Sequence, residues 1–109
     1  MNLNVFERLL LRNIVPQIQG WNYAHMKEAR ELIEGLFTEE EETDLQFEQE
    51  EKQVKWKVVK EDGTPIPQER DIPVSDGLKS KVAKFLKQLD KEEKLGFAHM
   101  TLMEKFVGD

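Results

Sequence analysis

The two histidines are the side chains of this sequence best suited to acid–base or metal chemistry. They occupy matching positions in two similar tetrapeptides, Tyr23-Ala24-His25-Met26 and Phe97-Ala98-His99-Met100. Because imidazole titrates near neutral pH and binds metal ions, a shared acid–base or metal site is one interpretation. The other is that both histidines stand at helix starts by chance. Neither has a further ligand at metal-binding spacing, so the sequence predicts no metal site and no cofactor.

A run of acidic residues from Glu39 to Glu51 is the second candidate site. It contains eight carboxylates and no lysine or arginine, and it lacks the alternating spacing and glycine of a calcium loop. One interpretation is a solvated helix N-terminus, where carboxylates are favoured. The other is a surface that docks a protein partner, with a tryptophan in a nearby connector as an anchor. The predicted partner-binding residues are Glu39, Glu40, Glu41, Glu42, Asp44, Glu48, Glu50, Glu51 and Trp21.

Lysines recur on one side of a later predicted helix, at Lys81, Lys84, Lys87 and Lys91. This stripe could contact a phosphate backbone, but no aromatic or arginine residue is interleaved with it, and the pattern favours a solvated helix face opposite the core. The sequence contains no nucleophile elbow, no glycine-rich phosphate loop and no cysteine nucleophile. We therefore predict no catalytic residue and no enzymatic activity.

The distribution of charge along the sequence limits which classes of partner the protein is expected to bind. The net charge of the 109-residue chain is −6, and outside the acidic run 16 basic residues face 14 acidic ones. General electrostatic capture of nucleic acid is therefore not expected. The N-terminal apolar run carries a charge and no small-residue cleavage site, and no apolar stretch reaches about 18 residues, so we expect no signal peptide and no membrane span. Together with the absence of cysteine, this predicts a cytoplasmic protein.

The segment Leu45–Val59 predicts a β-hairpin that turns at Glu51-Lys52, because apolar and polar residues alternate on both sides of the turn. The predicted apolar face carries Leu45, Phe47, Val54, Trp56 and Val58. In this register Glu48 lies opposite Lys55, and Phe47 lies opposite Trp56. We expect the apolar face to form the floor of the core.

Helices are predicted on both sides of the hairpin, over 5–15, 23–36, from 39 before the hairpin, 76–89 and 97–107. Capping boxes at Asn4–Glu7 and Thr38–Glu41 mark two of their starts. The first helix has a wide apolar stripe that predicts contacts on two sides: Val5, Phe6, Leu9, Leu10, Leu11 and Ile14. The fold class is a single α+β domain, 1–109. A hairpin or three-stranded antiparallel sheet at about 45–74 is packed by N-terminal and C-terminal helices, with the third strand within 69–74.

The two ends of the chain, Met1–Leu11 and Leu102–Val107, resemble small, acidic, uncharacterised proteins of tailed-phage and prophage genomes. The resemblance implies a viral context in a bacterial cytoplasm. Our first hypothesis is a non-enzymatic protein-binding module that acts on a host or viral protein through its acidic surface.

Two alternatives come from other classes. Three helices followed by a hairpin is the element order of a winged-helix nucleic-acid-binding module. A small structural or assembly subunit of a virion is the other alternative, for which the apolar first helix would form a homo-oligomer interface.

Overall fold

The computed structural model of the chain describes residues 1–51 and 53–108. The α-helices are α1 (Val5–Ile14), α2 (Tyr23–Gly35), α3 (Glu39–Leu45), α4 (Asp76–Lys91) and α5 (Met100–Phe106). The strands are β1 (Asn2–Asn4), β2 (Glu48–Glu50), β3 (Gln53–Lys55) and β4 (Glu69–Asp71). Short 3₁₀ turns lie at Val15–Gln17 and Phe97–His99. The predicted α+β class is confirmed.

Both predicted capping boxes are formed. The Asn4 side chain accepts a hydrogen bond from the backbone N–H of Glu7 at 2.8 Å, and the Glu7 carboxylate accepts one from the backbone N–H of Asn4 at 2.9 Å. Thr38 and Glu41 make the same reciprocal pair, with both distances 3.0 Å. These bonds satisfy backbone donors that a helix start otherwise leaves open. They explain why α1 and α3 begin where the sequence predicts.

The hairpin has the predicted register. Glu48 lies opposite Lys55 and Gln49 lies opposite Val54, in an antiparallel pair. The Lys55 ammonium does not pair with the residue directly opposite; it contacts the Glu50 carboxylate at 3.1 Å. Hairpin side chains therefore alternate faces as the sequence indicates, with the charged residues on the outer face.

The apolar face of the hairpin does not form the floor of the core, which corrects the expectation. Leu45 is fully buried but ends α3, and Gln46 then takes a left-handed conformation (φ 47°) that redirects the chain. Phe47 and Trp56 are half-buried and meet edge to face, with ring centroids 6.4 Å apart. Val58 is 56% exposed. The hairpin packs against one side of the core through half-buried side chains and does not contribute a fully buried layer to it.

The third predicted strand exists, but its partner is different. β4 pairs antiparallel with β1, so that Leu3 lies opposite Arg70. The two sheets of the described residues therefore have two strands each. The strand at Asn2–Asn4 was missed because it is only three residues long and merges with the helix cap at Asn4.

The core lies between the five α-helices and the β1–β4 ribbon. Its most deeply buried apolar side chains are Leu3, Val5, Leu11, Val15, Leu36, Leu45, Ile72, Val82, Leu86 and Leu102. Each contributes about 1.5–3 kcal/mol relative to an exposed position. In the sequence, helical spacing predicts an apolar stripe on α4 that comprises Leu78, Val82, Phe85, Leu86 and Leu89. Leu78, Val82 and Leu86 are buried, and Phe85 and Leu89 are half-buried against the core. Leu102 and Phe106 likewise face the core from α5.

The second apolar side of α1 is not covered as the sequence predicts. Phe6 is 43% exposed, and Leu9 and Leu10 are half-buried. The buried positions of α1 include two charged residues instead, Glu7 and Arg8. The wide apolar stripe therefore has one side in the core and the other at the surface.

Candidate functional site

The structure divides the acidic run into an inward and an outward part, and Glu41 is the inward residue. Its carboxylate oxygen Oε2 accepts a hydrogen bond from Nη1 of Arg8 at 2.6 Å. The Arg8 side chain is 0% exposed and that of Glu41 is 18% exposed. A fully buried guanidinium requires a counter-charge, because an isolated buried cation is strongly disfavoured. Glu41 thus serves the interior of the protein.

Arg8 is satisfied by acceptors from several elements. Its Nη1 also donates to the carbonyl of Leu36 at 3.0 Å, its Nη2 to the carbonyl of Gln68 at 3.3 Å, and its Nε to the carbonyl of Asn4 at 3.4 Å. The guanidinium carbon lies 4.6 Å from the ring centroid of Phe37. One side chain thereby ties α1 to the end of α2, to α3 and to the segment before β4.

A second arginine reaches the same carboxylate. Nε of Arg70 lies 3.0 Å from Oε1 of Glu41, as an ion pair without hydrogen-bond alignment. Nη2 of Arg70 donates to the carbonyls of Gly35 and Leu36. Burial alone raises the pKa of the Glu41 carboxyl, but hydrogen bonds from Arg8 and the Thr38 N–H, with both arginine charges, hold it below its ordinary value. Glu41 is therefore ionised at neutral pH.

Glu7 is a fully buried carboxylate, for which the sequence predicts only a capping role. Its Oε1 accepts a hydrogen bond from Nζ of Lys105 at 2.7 Å, and that ammonium also donates to the carbonyl of Asn2 at 2.8 Å. Burial alone raises the pKa of the Glu7 carboxyl. The hydrogen bonds from Asn4 and Lys105, together with the lysine charge, lower the pKa by more than burial raises it, so the net shift is downward. This pair fixes α5 against β1 and α1.

One signal in the sequence could have located the buried arginine. Arg8 stands three residues after Val5 and three before Leu11, so helical spacing places all three on one face. Both neighbours are buried in the structure. Apart from Asn4, the partners of Arg8 lie 28 to 60 positions away in the sequence, and no local pattern predicts them.

The outward part of the acidic run lies on α3 and on the hairpin. The exposed carboxylates are Glu39, Glu40, Glu42, Glu48, Glu50 and Glu51, and Asp44 is half-buried. Three of these seven have a cationic neighbour, in the pairs Glu42–Arg12 at 3.7 Å, Asp44–Lys60 at 3.7 Å and Glu50–Lys55 at 3.1 Å. Such exposed pairs are weak. Within residues 1–51 and 53–108, no cationic group makes an ion pair with Glu39, Glu40 or Glu48.

Trp21 is half-buried against the core, in the connector before α2. The Lys81 ammonium lies 5.5 Å from the centroid of its ring and donates a hydrogen bond to the carbonyl of Gly20 at 2.6 Å. Trp21 thus contacts the Lys81 side chain of α4 and packs against the core. The predicted anchor is part of the α4 side of the molecule.

Each histidine has its own local setting. The imidazole of His25 packs on the first turn of α4, where a Cβ placed on Gly77 would lie 2.9 Å from Nε2. Nδ1 of His99 accepts a hydrogen bond from the backbone N–H of Gly96 at 3.0 Å. No group of three or more metal-ligating side chains occurs among the described residues. His25 thus packs against α4, and His99 accepts a hydrogen bond within the turn that begins at Gly96.

A groove separates α1 from the hairpin. It has a volume of about 740 Å³. Its apolar walls are Phe6, Leu9 and Leu10 on one side and Val54 and Trp56 on the other, and its polar lining residues are Arg12, Asn13, Gln49 and Gln53. An uncovered apolar surface of this kind is typical of a protein interface.

No family model matches this chain, and neither a curated protein nor a solved structure is significantly similar to it. In the part of the chain that the structure describes, no helix is both long and apolar enough to cross a membrane.

Proposed function

We propose that this protein is a non-enzymatic binding module that docks a basic surface of a partner protein through the outward carboxylates of α3 and the hairpin. We call this the acidic surface; it comprises Glu39, Glu40, Glu42, Asp44, Glu48, Glu50 and Glu51. Glu41, which the sequence places in the same group, is excluded because its carboxylate is engaged with Arg8 and Arg70.

One observation carries the proposal. Two successive elements present exposed carboxylates, and among the described residues three of these carboxylates have no cationic neighbour within ion-pair distance. A helix start favours acidic residues through its dipole, but that effect is confined to the first turn. It therefore does not account for Glu48 and Glu50 on the hairpin.

The chemistry of the partner follows from this charge. A surface rich in carboxylates accelerates the encounter with a lysine-rich or arginine-rich surface and rejects acidic partners. Exposed charges are screened at physiological salt, where the Debye length is about 8 Å, so the association should weaken as salt is raised. The resemblance of the chain ends to phage proteins supports a host or viral protein as the partner, in a bacterial cytoplasm.

The decisive experiment is charge reversal with a matched control. The test variant is Glu39→Lys/Glu40→Lys/Glu48→Lys; Glu41 is left unchanged, because a lysine there would face the buried Arg8. The control, Glu31→Lys/Glu93→Lys/Glu104→Lys, makes the same change of charge at exposed residues elsewhere. Proteins captured from a bacterial lysate by the unaltered chain would be identified by mass spectrometry and their binding to each variant measured.

We expect the test variant to lose the partner and the control to retain it, with the binding constant of the unaltered chain falling as salt is raised. Circular dichroism of both variants establishes that they are folded. Equal capture of the partner by the test variant and the unaltered chain would show that the acidic surface does not bind the partner. Equal loss of the partner in the test and control variants would contradict the proposal as well.

A winged-helix nucleic-acid binder is the second candidate, favoured by the order of three helices followed by a hairpin and by the exposed lysines Lys84, Lys87 and Lys91 of α4. Against it, β1 pairs with β4 and the helix before the hairpin is acidic. A gel-shift assay at low salt separates the two. Duplex binding that is lost on replacing these lysines by glutamate would favour this candidate.

A further inference from the structure

The uncovered side of α1 has the spacing of a helix interface. Phe6, Leu9, Leu10 and Asn13 recur at the i, i+3, i+4 and i+7 positions, which form one continuous strip along a helix. Phe6 is 43% exposed, although it belongs to a helix in which six of ten residues are apolar. The strip and the hairpin residue Trp56 form the two walls of the groove, so a ridge inserted there contacts apolar surface on both sides.

The groove differs in charge from the acidic surface that lies beside it. None of its described lining residues carries a carboxylate; its polar groups are Arg12, Asn13, Gln49 and Gln53. Each copy of the chain has a net charge of −6, so two copies repel each other over most orientations. They repel least when they meet through a surface without carboxylates, and this groove is such a surface.

The exposed area of the chain is larger than its size explains. A folded monomer of 12.8 kDa is expected to expose about 6,300 Å², whereas this chain exposes 7577 Å². Its radius of gyration is 14.8 Å, against about 13 Å for a globular domain of its length. The excess, about 1,300 Å², is larger than the area of about 800 Å² that one partner buries in a standard interface.

We propose that a second copy of this chain occupies the groove, in a two-fold symmetric dimer built on α1. With the two α1 helices antiparallel and the axis between Leu9 and Leu10, Phe6 of each copy faces Asn13 of the other. The ridge of each helix then lies in the groove of the other copy, between α1 and the hairpin. A two-fold interface must be self-complementary, and here the apolar residues Leu9 and Leu10 of the two copies meet at the axis.

The first test is the mass in solution. Sedimentation equilibrium over about 5 to 500 μM should show a species of twice 12.8 kDa. Phe6→Glu should raise the dimer dissociation constant about tenfold or more, because it puts a carboxylate into an apolar interface. Phe97→Glu is the matched control, since Phe97 is also an aromatic residue near a helix start and is 92% exposed outside the groove. A monomer throughout this range, or equal effects of both changes, would overturn the proposal.

The second test is disulfide trapping, which is clean because the chain contains no cysteine. Leu10→Cys lies beside the proposed axis and should give a covalent dimer under mild oxidation. Tyr23→Cys, at a 76% exposed position on α2, should stay monomeric. Faster cross-linking of the α2 variant would place the contact elsewhere.

Salt separates this dimer from any association through opposite charges. Raising salt from about 50 to about 500 mM should strengthen the dimer, because the repulsion between two acidic copies is screened and the interface is apolar. Weakening of the dimer by salt would contradict the proposal. These readouts need no partner protein, so they are independent of the proposed function.

Discussion

Arg8 is a cation buried in the apolar interior of a small protein. Its guanidinium meets the Glu41 carboxylate and three backbone carbonyls, so its donors face acceptors in several directions. Buried ion pairs of this kind contribute little net stability when compared with apolar residues of the same shape. Removal of one partner is costly, because it leaves the other charge buried without compensation.

Replacing Glu41 by glutamine should therefore lower the free energy of unfolding by about 3 kcal/mol. Glu40→Gln is the control, because Glu40 precedes Glu41 in the sequence, is exposed and makes no ion pair in the described part of the chain. Its effect on the free energy of unfolding should stay within about 0.5 kcal/mol. Urea denaturation of both variants measures the difference. Equal stability of the two variants would show that Arg8 is compensated without Glu41.

The same carboxylates predict how stability depends on pH. The pKa values of Glu7 and Glu41 are held below the ordinary value of 4.5 in the folded protein. Each contribution to stability is complete above pH 4.5 and is lost as the pH falls through the lowered pKa, because the unfolded chain then binds more protons. The free energy of unfolding should fall as the pH drops below 4.5, and this fall should be shallower in Glu41→Gln. An identical acid limb in the two proteins would contradict the assignment.

The β1–β4 ribbon contributes more to the core than the hairpin does. The β1–β4 ribbon carries Leu3 and, just beyond it, Ile72 in the core, whereas all three residues of β2 are exposed. A two-stranded ribbon is marginal alone and needs packing on one face. β1 and β4 receive that packing from α1 and α5, through the Lys105 contacts and the core.

Leu3→Ala should accordingly lower the free energy of unfolding by about 2–5 kcal/mol, the usual cost of truncating a fully buried leucine. Val58→Ala, beyond the hairpin strands, should change it by less than about 0.5 kcal/mol, since Val58 is 56% exposed. Thermal or urea unfolding compares them. A larger effect at Val58 would mean that the hairpin, and not the β1–β4 ribbon, supports the core.

The whole molecule presents different surfaces on the two faces of one hairpin. Because strand side chains alternate, Glu48 and Glu50 point outward while Val54 faces the groove beside α1. The acidic surface and the groove are therefore adjacent but distinct. A dimer through the groove would leave the acidic surface of each copy accessible to a partner, and bivalent binding would raise its apparent affinity.

Local patterns in the sequence determined the starts of α1 and α3, the register of the hairpin, the core faces of α4 and α5, and the α+β class. Each depends on groups within a few residues of each other, such as Asn4 with Glu7 or Glu48 with Lys55. Caps, alternation and helical spacing are local rules, so the sequence alone suffices for them.

Tertiary structure decided which charges are buried and which apolar residues are not. The sequence marks Glu41 only as the capping partner of Thr38, and its ion pairs with Arg8 and Arg70 join segments that are distant in the chain. Phe6 belongs to the apolar stripe of α1, yet the hairpin packs beside that stripe without covering it. Contacts across dozens of residues depend on the global packing of elements, which no local pattern encodes.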